Sequence, residues 1–458
     1  MKDSRLKVSK LVLAAGVCVG GLMVFSAPAL AQETPGMAPA PAAAPAEPLT
    51  VDQAIAAFKA KQEELKGGTD RRAMVKAAGD IVKRVAMDNL ALADLRKLDE
   101  SNLVRAAGLS ASGPFTARLG ALAAGTDKNG GVAALIALKY APMVVPPKQA
   151  EILRAAIGHP ALKEAATDPV FAEAFSRIAS LNEEATKGMQ EKIMGLHAVF
   201  PEKATPLQAL QIASAVMQMA EGSTPEQREA MRSKAVKLLQ AADAAASAED
   251  QYKSRIPDLV KALDGAYMKN GLVGFPAPEI EFDWVTPDLK GAKVTKLSDL
   301  KGKVVVIDFW ATWCGPCIAS FPKVRELQAH YKDSAVVILG VTSAQGYHID
   351  QKATDPANRR IDTKGNPGKE YELMGKFISD MEMTWPVVFG KTNVFNPEFG
   401  VRGIPHVAII DAKGVVRHRG LHPGSTTLEQ KAEMIDALLK EAGLPVPAKP
   451  EPKADKKK

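Results

Sequence analysis

The chain has 458 residues, about two to three times a typical domain, so two or three folded units are expected. Hydrophobic residues make up 46% and charged residues 24%, which is a globular composition, and the formal net charge is +7. Much of that charge lies in residues 2–10 and 456–458 and forms no clustered basic patch. The composition therefore excludes a nucleic-acid partner and allows only weak contact with an anionic membrane surface.

The first segment has the pattern of a secretory signal. A basic start precedes the apolar run Leu11–Phe25, which is too short to span a membrane. Ala29-Leu30-Ala31 then gives the small-x-small pattern that signal peptidase cuts. We predict a signal peptide over residues 1–31 and an exported protein, periplasmic or otherwise extracytoplasmic. If the signal is not cleaved, the protein stays anchored by it.

Composition divides the rest of the chain into four segments. The predicted segments are a Pro/Ala-rich linker (32–49), an α-helical domain of unknown role (50–270), an α/β domain (271–443) and a disordered Lys/Pro-rich tail (444–458).

The helical segment is rich in Ala, Leu, Met and Lys, and its helix starts can be read from capping-box patterns. Each pattern is a threonine followed three residues later by a glutamine, as in Thr50 and Gln53, Thr205 and Gln208, and Thr224 and Gln227. Helix breaks are expected near the Gly and Pro clusters at residues 112–114, 130–131 and 146–147. The segment contains no cluster of catalytic residues.

After Gly271 short β-branched runs alternate with helical patterns. This alternation is typical of a mixed sheet flanked by helices. The predicted fold class is therefore multi-domain, with an all-α region followed by an α/β domain. The predicted strands cover residues 303–308, 335–341, 386–389, 407–410 and 415–417.

The chemistry lies in the run from Asp308 to Cys317 (DFWATWCGPC). A buried strand is predicted to end at Asp308, and a helix to open at Cys314. The unpaired N–H groups and the dipole at a helix start lower a thiol pKa from about 8.5 toward about 7 or less. Cys314 is therefore predicted to be the attacking thiol. Cys317, one turn further in, is predicted to be the shielded resolving thiol.

The alternative for a C-x-x-C motif is half of a zinc site. Zinc needs four ligands, and loss of the signal peptide with Cys18 leaves no second cysteine pair. We therefore predict no metal, and no cofactor other than a redox-active Cys314–Cys317 disulfide.

This run resembles thioredoxin, and its context resembles the extracytoplasmic TlpA/ResA-like branch of that superfamily. The motifs are Gly274–Pro278 (GFPAP), Leu297–Lys303 (LSDLKGK) and Val401–Pro405 (VRGIP), the last of which is similar to the family's cis-proline loop. The resemblance covers about residues 271–443. It implies a thioredoxin fold and a thiol-disulfide oxidoreductase.

The resemblance also implies roles for single residues beside the cysteines. Asp308 occupies the buried acidic position that serves thioredoxins as a base for the second cysteine, although many members of the TlpA-like branch lack an acid there. Pro405 should be cis, so that Ile404 offers its backbone to a substrate strand.

Further substrate-binding residues are implied near the motif. Trp313, Gly315 and Pro316 are expected on the recognition surface. His406 stands where thioredoxins usually have Thr, and it either tunes the exchange or simply faces the solvent. Residues 343–369 look like an added polar loop near the site.

Three functions remain open at this stage. The first is a thiol-disulfide oxidoreductase acting on exported proteins. Its Gly-Pro spacer resembles that of reducing thioredoxins, and a reductant outside the cytoplasm requires a membrane electron donor. Its clients would be exported apoproteins, such as those awaiting haem or copper. The second is a thiol peroxidase of the same fold, disfavoured because Ala311 and Ile307 replace the Thr or Ser and the Pro that peroxiredoxins need. The third is a binding or assembly protein that acts through its helices.

Overall fold

The structure is a computed structural model that describes residues 47–65, 71–290, 294–424 and 427–448. The predicted signal peptide, Cys18, most of the predicted linker and residues 449–458 of the predicted tail lie outside these ranges. Within the described ranges, every helix is too short or too polar to cross a membrane.

The first described region is helical, as predicted. The three predicted capping boxes are present at Thr50, Thr205 and Thr224, where each threonine accepts a backbone N–H and each glutamine side chain accepts one in return. The described helices here are α1 (Val51–Glu64), α2 (Arg71–Val82), α3 (Leu92–Glu100), α4 (Leu103–Ala107), α5 (Leu109–Leu122), α6 (Lys128–Tyr140), α7 (Pro146–Ile157), α8 (Leu162–Ala165), α9 (Val170–Ile178), α10 (Glu183–Thr186), α11 (Gln190–Gly195), α12 (Pro206–Met219), α13 (Pro225–Ala245), α14 (Ile256–Leu263) and α15 (Ala266–Asn270).

The predicted break at residues 112–114 is wrong. Helix α5 runs through Pro114, and the helix buries Phe115 and Leu119 completely. One proline costs a helix a single backbone hydrogen bond and a local clash, and apolar burial along the helix offsets that cost. Gly130 and Gly131 lie in the first turn of α6, and α7 begins at Pro146.

The second region is built on a six-stranded mixed sheet with the strand order β1-β6-β3-β2-β7-β8. Strands β2, β3 and β6 are parallel, whereas β1, β7 and β8 run antiparallel to their neighbours. The elements are β1 (Phe282–Val285), α16 (Pro287–Lys290), β2 (Val304–Phe309), α17 (Gly315–Tyr331), β3 (Val336–Thr342), β4 (Tyr347–Ile349), β5 (Arg360–Asp362), α18 (Pro367–Asp380), β6 (Val387–Gly390), β7 (His406–Ile410), β8 (Val416–Leu421) and α19 (Leu428–Glu441).

The five predicted strands correspond to β2, β3, β6, β7 and β8. Strand β1 was missed, and the predicted polar loop at residues 343–369 contains the two-stranded pair of β4 and β5. Short 3₁₀ helices complete the fold at Met87–Asn89, Ala141–Met143, Leu196–Val199, Lys253–Arg255, Leu297–Leu300, Pro356–Asn358 and Pro397–Phe399.

Strand β2 divides its side chains between two apolar cores. Its odd-numbered residues, 305 to 309, belong to a buried cluster that continues into the helical region. Residues 304 and 306 belong to a second cluster that contains both cysteines and the inner faces of α17, α18 and α19. Because successive strand residues point to opposite faces, the two regions of the chain share one face of the sheet as a common core.

A buried network of charges lies inside the helical region. The Lys139 ammonium contacts the Asp99 carboxylate at 2.7 Å and the Glu173 carboxylate at 2.9 Å, and the Tyr140 hydroxyl donates to Asp99 at 3.0 Å. Burial opposes ionisation of Glu173, but hydrogen bonds from Arg105 and Lys139 lower its pKa to about 2. Lys139 thus contacts both carboxylates that α3 and α9 bring together, and Arg105 supplies the second positive charge.

We expect Lys139→Met to destabilise the protein by about 3–5 kcal/mol, because it leaves the Asp99 carboxylate buried without its counter-charge. Urea unfolding at neutral pH measures this. The matched control is Lys148→Met, which removes a surface pair with Glu151 and should cost less than about 1 kcal/mol. Equal losses in the two variants would contradict this role of the network.

Candidate active site

The two cysteines form a disulfide at the start of α17. Cys314 is the N-cap residue of this helix, and its Sγ accepts a hydrogen bond from the Cys317 backbone N–H at 3.2 Å. The two Cα atoms are 5.3 Å apart, within the range of ordinary disulfides. Both residues are buried, with Cys314 3% exposed and Cys317 0% exposed.

Asp308, near the end of β2, is buried, as predicted. It is 2% exposed, and neither carboxylate oxygen has a hydrogen-bond donor within the described part of the chain. Burial raises its pKa to about 7, and the nearby Lys431 ammonium acts in the opposite direction. A carboxyl group with such a pKa can gain or lose a proton near neutral pH.

Lys431 faces Asp308 across a cavity of about 20 Å³, which is large enough for one water molecule. Its ammonium donates to the Pro423 carbonyl oxygen, and burial, together with the nearby charge of Lys323, lowers its pKa to about 8. His422 also lines the cavity. Burial thus shifts the pKa of the carboxyl group and that of the ammonium group toward neutral pH.

The predicted cis-proline loop lies beside the cysteines. The Ile404–Pro405 bond is cis, which confirms that prediction. In the β2–β7 register His406 pairs with Phe309, so Ile404 and Pro405 lie at the end of the sheet where β2 leads into Cys314. Ile404 packs against both apolar clusters, including the one that contains the cysteines.

His406 does not face the solvent. It is 8% exposed, its Nε2 accepts the Gly420 N–H at 3.3 Å, and its ring lies edge-on to Phe309. Burial, with the positive charge of Arg419, lowers its pKa to about 3. The imidazole is therefore neutral and packed inside, and this geometry does not favour the predicted substrate contact.

The other predicted recognition residues do reach the surface. Gly315 and Pro316 are exposed, and Trp313 is half-buried. The Trp313 Nε1 donates to Gln345 Oε1 at 3.3 Å, and its ring centroid is 6.2 Å from that of the exposed Phe395.

The inserted segment supports the residues just before Cys314. The Ile349 N–H donates to Thr312 Oγ1 at 3.3 Å, and the Gln351 side chain donates to the Thr312 carbonyl at 2.7 Å. The buried Glu370 carboxylate accepts the backbone N–H groups of Gln345 and Gly346 and so fixes the start of the insertion. The insertion thus forms a wall of the site.

Comparison with known proteins shows which family the second region of this chain resembles. Residues 272–438 match the Redoxin family. The thioredoxin-like protein YneN of Bacillus subtilis is 30% identical over 155 residues, which cover 34% of this chain and 75% of that protein. The thiol-disulfide oxidoreductase ResA of Geobacillus kaustophilus is 31% identical over 166 residues, covering 36% and 78%.

This chain belongs to the thioredoxin-like thiol-disulfide oxidoreductases. A solved structure from Chlorobium tepidum, proposed to be a thiol:disulfide interchange protein DsbE, is 27% identical and covers 36% of this chain and 97% of its own, with a TM-score of 0.25. The Redoxin match begins at residue 272, so the helical region lies outside it.

Sequence reasoning missed several residues that shape this oxidoreductase site. Lys431 could have been found, because it lies four residues before Ile435 on the buried face of α19, where an isolated lysine is unusual. Gln345, Gln351 and Phe395 gave no such signal, because their contacts with the Cys314 loop join distant parts of the chain.

Asp308→Asn should change how stability depends on pH. The folded pKa of about 7 exceeds the ordinary value of 3.8, so the folded protein binds this proton more tightly than the unfolded chain. The stabilisation contributed by this group is therefore fully present below its unfolded pKa of 3.8. It is lost as pH rises through the folded pKa of about 7. Replacing the carboxyl group with an amide removes that loss.

Between about pH 5 and about pH 8 the wild type should lose roughly 3 kcal/mol more unfolding free energy than Asp308→Asn. Urea unfolding of the oxidised proteins at the two pH values measures this difference. Asp333→Asn, which changes an exposed aspartate, serves as the control. Parallel pH profiles for wild type and Asp308→Asn would contradict the raised pKa.

Proposed function

We propose that this enzyme reduces disulfide bonds of exported proteins, with Cys314 as the attacking thiolate and Cys317 as the resolving thiol. The observation that carries the proposal is the Cys314–Cys317 disulfide at the first turn of α17, with Cys314 as the N-cap residue. The helix-start position of Cys314 and the full burial of Cys317 support attack by the first sulfur and resolution by the second.

The exchange consists of two thiol-disulfide steps. The Cys314 thiolate attacks one client sulfur, a bond forms between the client and Cys314, and the other client sulfur leaves as a thiolate. Cys317 then loses its proton to the Asp308 carboxylate and attacks Cys314. The mixed disulfide breaks, the Cys314–Cys317 bond forms, and the client leaves with two reduced cysteines.

Hydrogen bonding in the first turn supports Cys314 as the nucleophile. The Cys317 N–H that donates to Cys314 Sγ in the disulfide is equally placed to stabilise a thiolate after reduction. Ile404 and Pro405 offer a backbone edge for a client strand, and Trp313 with Gly315 and Pro316 provides the exposed surface beside it.

The proposal includes location and direction. The signal pattern in residues 1–31 supports export, and the Gly-Pro spacer supports a reductant rather than an oxidant. A reductant outside the cytoplasm needs electrons from a membrane carrier. Cysteine pairs of apoproteins that later bind haem or copper are the clients that fit this role, as in cytochrome c or copper-site maturation.

Replacing Cys317 with Ser should trap clients on Cys314, because the mixed disulfide can form but cannot be resolved. We expect exported proteins with cysteine pairs to be recovered as adducts that migrate separately only after treatment with reductant. Affinity purification of Cys317→Ser from the native cell envelope, followed by non-reducing and reducing gels and mass spectrometry, measures this.

The control is Cys314→Ser, which lacks the attacking sulfur and should hold no adducts. Identical recovery with the two variants would remove the support for Cys314 as the nucleophile. Consumption of peroxide by the wild type without any adduct would instead favour the thiol peroxidase.

A further inference from the structure

The helical region contacts the segment that leads into Pro405. The Arg402 guanidinium donates to the Gln218 carbonyl at 2.5 Å and approaches the Met217 carbonyl at 3.4 Å, both at the end of α12. The C-terminal end of a helix presents unpaired carbonyl groups and partial negative charge, so it is a favourable partner for a cation. Arg402 therefore joins the loop to a helix end.

Glu221 adds a carboxylate between two arginines of the α/β region. It lies 3.0 Å from the Arg419 guanidinium and 3.7 Å from that of Arg402, and it accepts the Tyr267 hydroxyl at 2.9 Å. Arg419 in turn donates to the Gly400 carbonyl at 3.0 Å, and its guanidinium lies 4.2 Å from the centroid of the Tyr267 ring. One carboxylate of the helical region thus contacts Arg402 inside the loop and Arg419, which holds Gly400 just before it.

The same loop meets the helical region at its beginning. Glu398 accepts the Ala266 backbone N–H at 2.7 Å, at the start of α15. Gly400 has a φ of +65°, and a Cβ there would lie 2.6 Å from Cγ of Tyr267. Close backbone approach to the Tyr267 ring therefore requires glycine at this position.

These contacts end two residues before Ile404. Residues 398 to 402 are bonded to α12, α15 and Glu221, and Ile404 packs against the apolar cluster that contains the cysteines. Gly403 alone separates Arg402 from Ile404 in the chain. The helical region therefore contacts the loop just before the residues proposed to bind a client.

We propose that the helical region is a positioning element for client binding: Arg402 and Glu221 hold the Val401–Pro405 loop where a client strand must dock. This inference rests on the proposed function, because docking matters only if the disulfide exchanges with peptides. Arg402 is a positioning residue, since it acts through Ile404 and Pro405. Both side chains of the Arg402–Glu221 pair are partly exposed, so the pair contributes little to global stability.

Two disulfide substrates separate positioning from chemistry. One is a twelve-residue peptide with an intramolecular disulfide, about long enough to lie along the loop as a strand. The other is hydroxyethyl disulfide, which has no backbone to dock. The reduced full-length protein is mixed with each substrate over a range of concentrations, and acid-quenched samples are analysed for released thiols.

For Arg402→Ala we expect the half-saturating peptide concentration to rise about tenfold while the limiting rate changes less than about twofold. The rate with hydroxyethyl disulfide should also change less than about twofold. Glu221→Gln should also raise the half-saturating peptide concentration, by a smaller factor. Arg402→Lys should raise it less than Arg402→Ala does, because an ammonium group restores the charge but not the paired N–H donors of the guanidinium.

The matched control is Arg232→Ala, which breaks ion pairs with Glu229 and Asp264 inside the helical region and should leave both reactions unchanged. Unchanged peptide saturation in Arg402→Ala would overturn the proposal, and so would equal losses with both substrates. Hydrogen exchange of residues 399–406 gives a second measurement, in which Arg402→Ala should increase exchange and Arg232→Ala should not.

The two proposals fail in different ways. A wild-type protein that reduces neither disulfide would contradict the proposed function. The hydrogen-exchange measurement would still decide whether Arg402 holds the loop. A wild-type protein that reduces both, with variants that match it in saturation and in hydrogen exchange, would contradict the positioning role alone.

Discussion

The alternation of side chains along β2 is the constraint on which the rest of this structure depends. Its odd-numbered residues enter a core shared with the helical region, and its even-numbered residues enter the core that contains the cysteines. A shift of one residue in the pairing register of β2 would move each set of side chains to the opposite face of the sheet. The strand therefore buries Asp308 in the domain that carries the cysteines and, in the same register, joins that domain to the helices.

Burial explains the chemistry available to Asp308 more fully than any single contact does. Both carboxylate oxygens lack a donor in the described residues, so desolvation raises the pKa, and Lys431 only moderates the effect. The same desolvation lowers the pKa of Lys431. The pKa values of the two groups are thus shifted toward neutral pH from opposite sides.

The site is assembled from three parts of the chain. The helix start and the cis-proline loop form the first part, the insertion that supports Thr312 and Trp313 is the second, and the helical region that contacts Arg402 is the third. Only the third part lies outside the region matched by the family. The first part contains the two disulfide-bonded cysteines, and the other two border it.

Local patterns in the sequence determined the elements and the candidate reacting residues. The three capping boxes depend on residues three apart, and the C-x-x-C motif depends on one turn of helix, so both could be predicted without tertiary information. The alternation of strand and helix patterns indicated the sheet, and the resemblance of the VRGIP run indicated the cis bond at Pro405.

Only the tertiary structure decided which distant residues meet. The break predicted at residues 112–114 failed because burial of Phe115 and Leu119 outweighs the local preference of proline, and burial cannot be read from neighbouring residues alone. His406 is inside and neutral because β8 and Phe309 enclose it. Arg402 and Glu221 lie far apart in the chain, and their contact follows from packing of the whole molecule, because long-range contacts have no local sequence signal.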